Sequence, residues 1–194
     1  MKKLLLIIVI ALVLNVDISG ATPADDAVAA YNRGDYSSAI KIWRSLASQG
    51  VVDAQYALGV MYELGQGVPQ GYAEAVKWYR LAATQGYAKA QFNLGVLYEK
   101  GQGASQDDAE AANWFRLAAA QGNPGAQTDL GQMYSKGQGV PQDDIEAVKW
   151  FRLAAAQANA IAQFNLGLIY AQGKGVPQDY VRAHMWMNLA AVLG

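Results

Sequence analysis

Cysteine is absent from this chain of 194 residues. Without thiols the protein forms neither disulfides nor thiolate metal ligands, so its stability must come from packing. Histidine occurs once, at His184, and one imidazole cannot make a histidine-based metal site. No set of nucleophile, base and orienting residue is apparent in the sequence. We therefore expect a protein without cofactor, metal ion or catalytic site.

A charge imbalance is also lacking, since 15 basic residues face 16 acidic ones. No basic stripe is available to neutralise nucleic-acid phosphates, and no polybasic segment to hold an anionic membrane. Proline is scarce, with 5 residues, and 53% of the chain is hydrophobic, which is typical of an ordered protein. Nucleic acid is therefore not an expected partner.

The one long apolar run lies at the amino terminus, where Lys2 and Lys3 precede residues 4–14. Small residues follow at 19–21, so residues 1–21 have the three-part organisation of a secretory signal peptide. An uncleaved anchor is the less favoured alternative, because the run is short for a membrane span of about 20 residues. We expect cleavage after Ala21, a periplasmic or secreted protein, and no membrane association after cleavage.

A repeat of 36 residues dominates the rest of the chain. Alanine recurs at this spacing, and so does tryptophan: Ala54, Ala90, Ala126 and Ala162; Trp78, Trp114, Trp150 and Trp186. A constant period of this size predicts an array of small units that bury their apolar faces against one another. We divide the array into four repeats, 51–86, 87–122, 123–158 and 159–194.

Residues 24–50 resemble a repeat only loosely, and we interpret them as a shortened capping repeat at the amino-terminal end. Its first helix is expected from Asp25 to Asn32, with Asp25 or Asp26 as the N-cap. Its second helix is expected from Tyr36 to Ser48.

Each full repeat predicts two helices. In the first repeat, Ala54, Leu58 and Met61 lie on one side of a helix that we call helix A. Gly65 and Pro69 end that helix, because glycine accepts a left-handed conformation and proline cannot continue a helix. A second helix, called helix B, follows this loop.

Acidic residues mark the start of helix B, as with Asp107, Asp108 and Glu110. Their negative charges interact favourably with the positive end of the helix dipole. Ser105 and Asp108 are predicted to cap it. Along helix B, we expect each tryptophan to fill the gap that neighbouring alanines leave. Glycine ends helix B except in the third repeat, where Ala158 predicts a poorer helix stop.

The string A-x-x-x-L-G-x-x-Y-x-x-G-x-G, followed by A-x-x-W-x-x-x-A-A, resembles the Sel-1-like repeat, a relative of the tetratricopeptide repeat. The resemblance implies an all-α fold, in which antiparallel helix pairs form a right-handed superhelix, an α-solenoid. It also implies a non-catalytic adaptor or scaffold that binds a protein or peptide.

By analogy with tetratricopeptide grooves, the positions two residues before and after the Leu-Gly pair should face a concave groove, with a polar edge beside them. The candidate protein-binding residues are Tyr56, Val60, Glu63, Phe92, Val96, Glu99, Lys100, Gln132, Lys136, Phe164 and Leu168. The alternative interpretation is that the aromatic members pack between helices.

Other recurring polar residues favour structural roles. The glutamines Gln55, Gln91, Gln127 and Gln163 are predicted to hydrogen-bond backbone between repeats. The arginines Arg80, Arg116 and Arg152 are predicted to lie along the solvated outer edge of helix B, and His184 to be partly packed.

Two other functions stay open. Ser38 and Lys41 match the S-x-x-K element of penicillin-recognising enzymes, so a weak β-lactam or cell-wall hydrolase is one alternative. The companion S-D-N and K-T-G elements are missing, which weakens it. Self-association through the C-terminal repeat is the other, because an uncovered last helix would leave apolar residues partly bare: Met185, Trp186, Met187 and Leu189.

Overall fold

The structure, a computed structural model, describes residues 22–193, and the predicted signal peptide at residues 1–21 lies outside that range. The described residues form ten helices and no strand. In chain order these are α1 (Pro23–Asn32), α2 (Tyr36–Ser48), α3 (Val52–Leu64), α4 (Tyr72–Thr84), α5 (Ala88–Lys100), α6 (Asp108–Ala120), α7 (Pro124–Lys136), α8 (Asp144–Ala156), α9 (Ala160–Gln172) and α10 (Tyr180–Leu193). Among residues 22–193, every helix is too short or too polar to span a membrane.

The chain divides into two compact units, residues 1–70 and 71–194. In the N-terminal unit, α2 packs against both α1 and α3. In the C-terminal unit, α5 packs with α6, α7 with α8 and α9 with α10, and each pair also contacts the next. Each unit is thus a consecutive stack of helices, and the predicted all-α class is confirmed.

Two predicted helix starts are wrong. Thr22, not Asp25 or Asp26, is the N-cap of α1: its hydroxyl accepts from the Asp25 amide at 3.2 Å, and the Asp25 carboxylate accepts from the Thr22 amide at 2.8 Å. Proline is tolerated in the first turn, so Pro23 lies inside the helix. In α6, Asp107 accepts from the Glu110 amide at 2.9 Å, so Ser105 is not part of the cap. The predicted range of α2 is confirmed.

The buried aromatic residue of helix B is the one that follows the tryptophan. Tyr79, Phe115 and Phe151 are at most 2% exposed, whereas the tryptophans before them are half-buried. The tryptophans are therefore less buried than the residues that follow them, although Trp186 packs against the buried cluster of α8 and α9. Phe115 lies on Gly95 and Phe151 on Gly131, each the glycine of a Leu-Gly pair, and a Cβ atom on Gly131 would lie 2.9 Å from Cδ1 of Phe151. The motif contains glycine because the ring occupies the space of a side chain.

Glutamine side chains join helix pairs, as predicted. Nε2 of Gln127 donates to the Ala119 carbonyl at 3.1 Å, and Oε1 of Gln127 accepts from Nε2 of Gln157 at 2.9 Å. Gln91 repeats both bonds one period earlier. Gln163 keeps the bond to backbone, but its buried Oε1 has no partner among the described residues. The glutamine that would donate to Gln163 is expected 36 residues after Gln157, at residue 193, but that residue is leucine.

Arginine and tyrosine side chains make a second set of links, which the sequence analysis missed. An arginine of helix B donates to the hydroxyl of the tyrosine eighteen residues later, on the next helix A, with 2.7 Å between Arg152 Nη2 and the Tyr170 oxygen. The other pairs are Arg44 with Tyr62, Arg80 with Tyr98 and Arg116 with Tyr134. These arginines therefore help to hold neighbouring helix pairs together.

Replacing Gly131 by alanine should lower the free energy of unfolding by about 1–3 kcal/mol, because the added methyl group meets the Phe151 ring. Urea denaturation of Gly131→Ala, Phe151→Leu and the double variant measures this. Leucine removes the ring, so the alanine should cost less in the Phe151→Leu background. An equal cost in both backgrounds would contradict the contact as the reason for the glycine.

Ala158 is, within residues 22–193, the one non-glycine residue with a positive φ, at 60°. The equivalent Gly86 and Gly122 have φ of 89° and 88°. Ala158→Gly should therefore raise the free energy of unfolding by about 0.5–1 kcal/mol, since glycine has no Cβ penalty there. Ala156→Gly, in the last turn of α8, is the matched control and should lower stability by up to about 1 kcal/mol in the same thermal denaturation experiment. Equal shifts for the two variants would contradict the assignment of strain to Ala158.

Candidate protein-binding surface

An apolar pocket of about 280 Å³ lies in the N-terminal unit. Two of the candidate residues, Tyr56 and Val60 on α3, contribute to its wall. The remaining lining residues come from all three helices of the unit: Val28 and Tyr31 from α1, Trp43 from α2, and Ala57 and Met61 from α3. None of these residues carries a charge, so the pocket suits an apolar side chain.

Local packing fixes the shape of this pocket. Trp43 is buried at the register of Tyr79 one period later, so it forms the floor. The Tyr31 hydroxyl donates to Oε1 of Gln66 at 2.7 Å, and the Tyr31 ring stands edge-on to Tyr36 with 5.3 Å between centroids. Trp43 and Tyr31 were not among the predicted residues. The 36-residue offset between Trp43 and the buried rings is the signal that could have found Trp43.

The equivalent positions in the third repeat are polar. Thr128, 72 residues after Tyr56, is buried, and its hydroxyl donates to the Pro124 carbonyl at 2.8 Å. Gln132, which corresponds to Val60, is half-buried, and Lys136 at the end of α7 is exposed. At this repeat the surface is therefore more polar than the pocket in the N-terminal unit.

Asp129 on α7 faces two candidate residues, Glu99 and Lys100, at the end of α5. Burial first and the Glu99 charge second raise the pKa of Asp129 to about 6, while Lys100 opposes the rise. The second and fourth repeats carry Asn93 and Asn165 at this position, and the first carries Ala57. Asp129 was not among the predicted site residues, although the sequence shows aspartate there in place of the asparagine of the second and fourth repeats.

Phe92 and Phe164 occupy the same position two repeats apart but differ in surroundings. Phe92 is half-buried, with its ring centroid 5.8 Å from that of Phe115, and it packs against Gly125 of the next helix pair. This is the inter-helix packing of the alternative interpretation. Phe164 is 50% exposed and borders an open apolar groove of about 420 Å³. The remaining candidates Glu63, Val96 and Leu168 are half-buried.

The chemistry of the other predicted sites is sparse. Ser38 lies in the first turn of α2, where its amide donates to the Asp35 carboxylate at 3.1 Å, and Lys41 is exposed. Hydrogen bonds from Ser38 hold the pKa of Asp35 below its usual value. A helix cap thus accounts for this serine. In the part of the chain that the structure describes, no three His, Asp or Glu side chains gather as a metal site would require.

The Sel1 repeat family matches residues 52–87, 88–123, 124–159 and 160–194. The chain belongs to the Sel1 repeat family. Proteins of this family are typically non-catalytic protein-interaction scaffolds. No curated protein matches the chain significantly.

Solved structures of Sel1 repeat proteins are similar to the chain. One is c5321, a protective antigen of uropathogenic Escherichia coli strains that displays an SLR fold, with 39% identity and a TM-score of 0.85 over 88% of this chain. The chain spans 37% of the length of that protein. Another is a Sel1 repeat protein from Oxalobacter formigenes, with 37% identity and a TM-score of 0.83, where 88% of this chain covers 70% of the other. The predicted fold class, an α-solenoid of helix pairs, is confirmed by these similarities.

Replacing Asp129 by asparagine should stabilise the protein at neutral pH. The usual pKa of an aspartate carboxyl is 3.8, and that of Asp129 in the folded state is about 6. The folded state therefore binds the proton more tightly than the unfolded state does. The free energy of unfolding therefore falls as the pH rises from about 4 through about 6, and it stays at the lower value above that range. Asp129→Asn should recover up to about 3 kcal/mol at pH 7.5 and almost none at pH 4.

Urea denaturation of both proteins at pH 4 and pH 7.5 measures the difference. Asp53→Asn, at an exposed carboxylate in the first turn of α3, is the control. It should be no more stable than the unchanged protein at pH 7.5. A gain for Asp129→Asn that is the same at both pH values would contradict a buried, repelled carboxylate.

Proposed function

We propose that this protein is an exported, non-catalytic adaptor that binds a segment of another protein through the apolar pocket of its N-terminal unit. The observation that supports it is that Tyr56 and Val60, selected from the repeat pattern, line one pocket with the buried Trp43. Members of the Sel1 repeat family are typically interaction scaffolds, which favours the same class of function.

The mechanism is the burial of an apolar anchor. A leucine or phenylalanine side chain of the partner that enters the pocket gains about 1.5–3 kcal/mol by leaving water. Tyrosine and tryptophan in the wall are typical of residues that dominate binding energy. The half-buried Glu63 at the end of α3 is the polar residue proposed to select among partners.

The surface of the C-terminal unit is proposed to add polar contacts of its own through Glu99, Lys100, Gln132 and Lys136. Phe92, Val96 and Leu168 are half-buried, so they are proposed to contribute shape more than anchoring. Residues 1–21 are proposed as the signal peptide that directs export to the periplasm or beyond, followed by the capping repeat 24–50 and the four repeats from residue 51.

A hydrolase built on Ser38 and Lys41 is the less favoured candidate, because helix capping already accounts for Ser38. Self-association through the C-terminal repeat is the other candidate, and the exposed apolar residues Met185 and Leu189 of that repeat are the observation behind it.

Selection of a displayed peptide library on the purified protein should enrich peptides that carry a large apolar residue at one fixed position. Val60→Glu places a charge in the pocket wall and should weaken the selected peptides by at least tenfold, a loss of about 1.4 kcal/mol. Fluorescence anisotropy with labelled peptides measures the affinity.

Leu81→Glu is the control, because Leu81 is an exposed leucine on α4 outside the pocket. The affinity of this variant for the selected peptides should equal that of the unchanged protein. Peptides whose affinity is the same for Val60→Glu and for the unchanged protein would reject the pocket as the binding site.

A further inference from the structure

The apolar pocket of the N-terminal unit has two ends that differ in charge. Short connections, residues 33–35 and 49–51, join its three helices, so neighbouring helices are antiparallel and α1 runs parallel to α3. The hydrogen bond from the Tyr31 hydroxyl to Gln66 fits this arrangement, because Tyr31 lies near the end of α1 and Gln66 just beyond the end of α3. We call the end of the pocket where α1 and α3 begin its amino end, and the opposite end its carboxyl end.

Carboxylates lie at the amino end, on the sides of the helices that line the pocket. Asp53 precedes the wall residue Tyr56 by three residues, so the two side chains are neighbours on the surface of α3. Asp25 has the same relation to the wall residue Val28 on α1. Both aspartates are exposed, and hydrogen bonds from Thr22 hold the pKa of Asp25 below its usual value. The amino end of the pocket is therefore negatively charged at neutral pH.

The basic side chains of the N-terminal unit lie away from the amino end. Within residues 22–70 they are Arg33, Lys41 and Arg44. Hydrogen bonds from Ser38, and after them the charges of Arg33 and Lys41, lower the pKa of Asp35, so both cations lie near the turn between α1 and α2. That turn is at the carboxyl end. Arg44 donates to the hydroxyl of Tyr62, late in α3, at 2.9 Å.

The carboxyl end combines both signs of charge with an apolar residue. Glu63 follows the wall residue Val60 by three residues, and Arg33 and Lys41 lie at the same end. Leu64, four residues after Val60, is 57% exposed and extends the apolar side of α3 beyond the pocket. Within residues 22–70, the surroundings of the pocket thus change from negative at the amino end to mixed and apolar at the carboxyl end.

We propose that the protein segment bound in this pocket is basic on one side of its apolar anchor, with a lysine or arginine at the amino end of the pocket beside Asp53 and Asp25. This inference rests on the proposed function, because it names the chemistry of the partner that the same pocket accepts. The long apolar stem of lysine or arginine suits the position, since the stem covers apolar surface while the charged group stays in water near a carboxylate. Charges at the rim of an interface discriminate between partners, so a segment with the same anchor and an acidic neighbour is rejected.

A focused display library separates the anchor from the charge. Each peptide carries leucine, phenylalanine or alanine at its centre, and lysine, glutamate or serine at the flanking positions. Selection on the unchanged protein should enrich leucine and phenylalanine over alanine, which tests the pocket. It should also enrich lysine over glutamate on one side of the anchor by roughly threefold or more, which tests the charge.

Variants of Asp53 locate the charge. The predicted cleavage after Ala21 would leave the amino group of Thr22 beside Asp25, so Asp53 is the better carboxylate to change. Asp53→Lys should enrich glutamate over lysine, and Asp53→Asn, which removes the charge without reversing it, should show no preference between them. Leucine and phenylalanine should stay enriched over alanine on both variants, because the pocket wall is unchanged.

Asp26→Lys is the matched control. Asp26 is an exposed aspartate two residues before Val28, so it lies on the other side of α1 and does not face the pocket. At physiological salt, where charges are screened beyond about 8 Å, this variant should keep the lysine preference of the unchanged protein. Far-ultraviolet circular dichroism establishes that all variants are folded.

Three results would overturn the inference. Enrichment of leucine and phenylalanine without a preference between lysine and glutamate would remove the basic residue and leave the pocket as the binding site. A lysine preference of equal size on the unchanged protein and on Asp53→Lys would indicate attraction to the protein as a whole. Equal recovery of all three central residues would reject the pocket, and with it both the proposed function and this inference.

Discussion

The contact between an aromatic ring on helix B and a glycine on helix A is the constraint on which the rest of the helix packing depends. Phe115 lies on Gly95 and Phe151 on Gly131, in both cases closer than a Cβ atom would allow. The ring therefore sets how near the two helices of a pair approach. Because the same contact recurs with the 36-residue period, each pair presents the next one with a surface of the same shape.

Polar links reinforce that spacing without determining it. The glutamines satisfy backbone carbonyls that are buried near the ends of helix B, and the arginines hold the tyrosine hydroxyls of the following helix A. Both sets of side chains therefore have structural partners within the chain. What remains free to vary are helix A positions such as 56 and 57, which become Thr128 and Asp129 two repeats later. The surface differs between repeats only where the packing leaves the choice of residue open.

Much of the fold could be predicted because the period is long, constant and carried by glycine, whose backbone role is specific. The identity of the buried ring could not be predicted, since tryptophan and the next residue are both aromatic. The sequence does not say which side of helix B meets helix A. The start of α1 was predicted at the aspartates, although Thr22 and Asp25 have the Thr-x-x-Asp spacing of the capping box that the structure shows. At the candidate site, Phe92 and Phe164 have the same residue at the same position. Phe92 packs against Gly125 whereas Phe164 is exposed, and no local pattern of the sequence contains that difference.

The pocket of the N-terminal unit and the helix A positions around Asp129 in the C-terminal unit offer unlike chemistry. The N-terminal unit has an uncharged pocket with a tryptophan floor, where burial of an apolar group is the available source of binding energy. The C-terminal unit has a partly buried carboxylate, Asp129, beside Glu99 and Lys100, where burial of an apolar group would raise the cost of the charge further. A carboxylate that lowers stability at neutral pH, in a position where two other repeats carry asparagine, is a departure from the packing rules of this fold. Such departures are expected where a surface serves something other than stability, so a ligand that suits the pocket and one that suits Asp129 must differ in polarity.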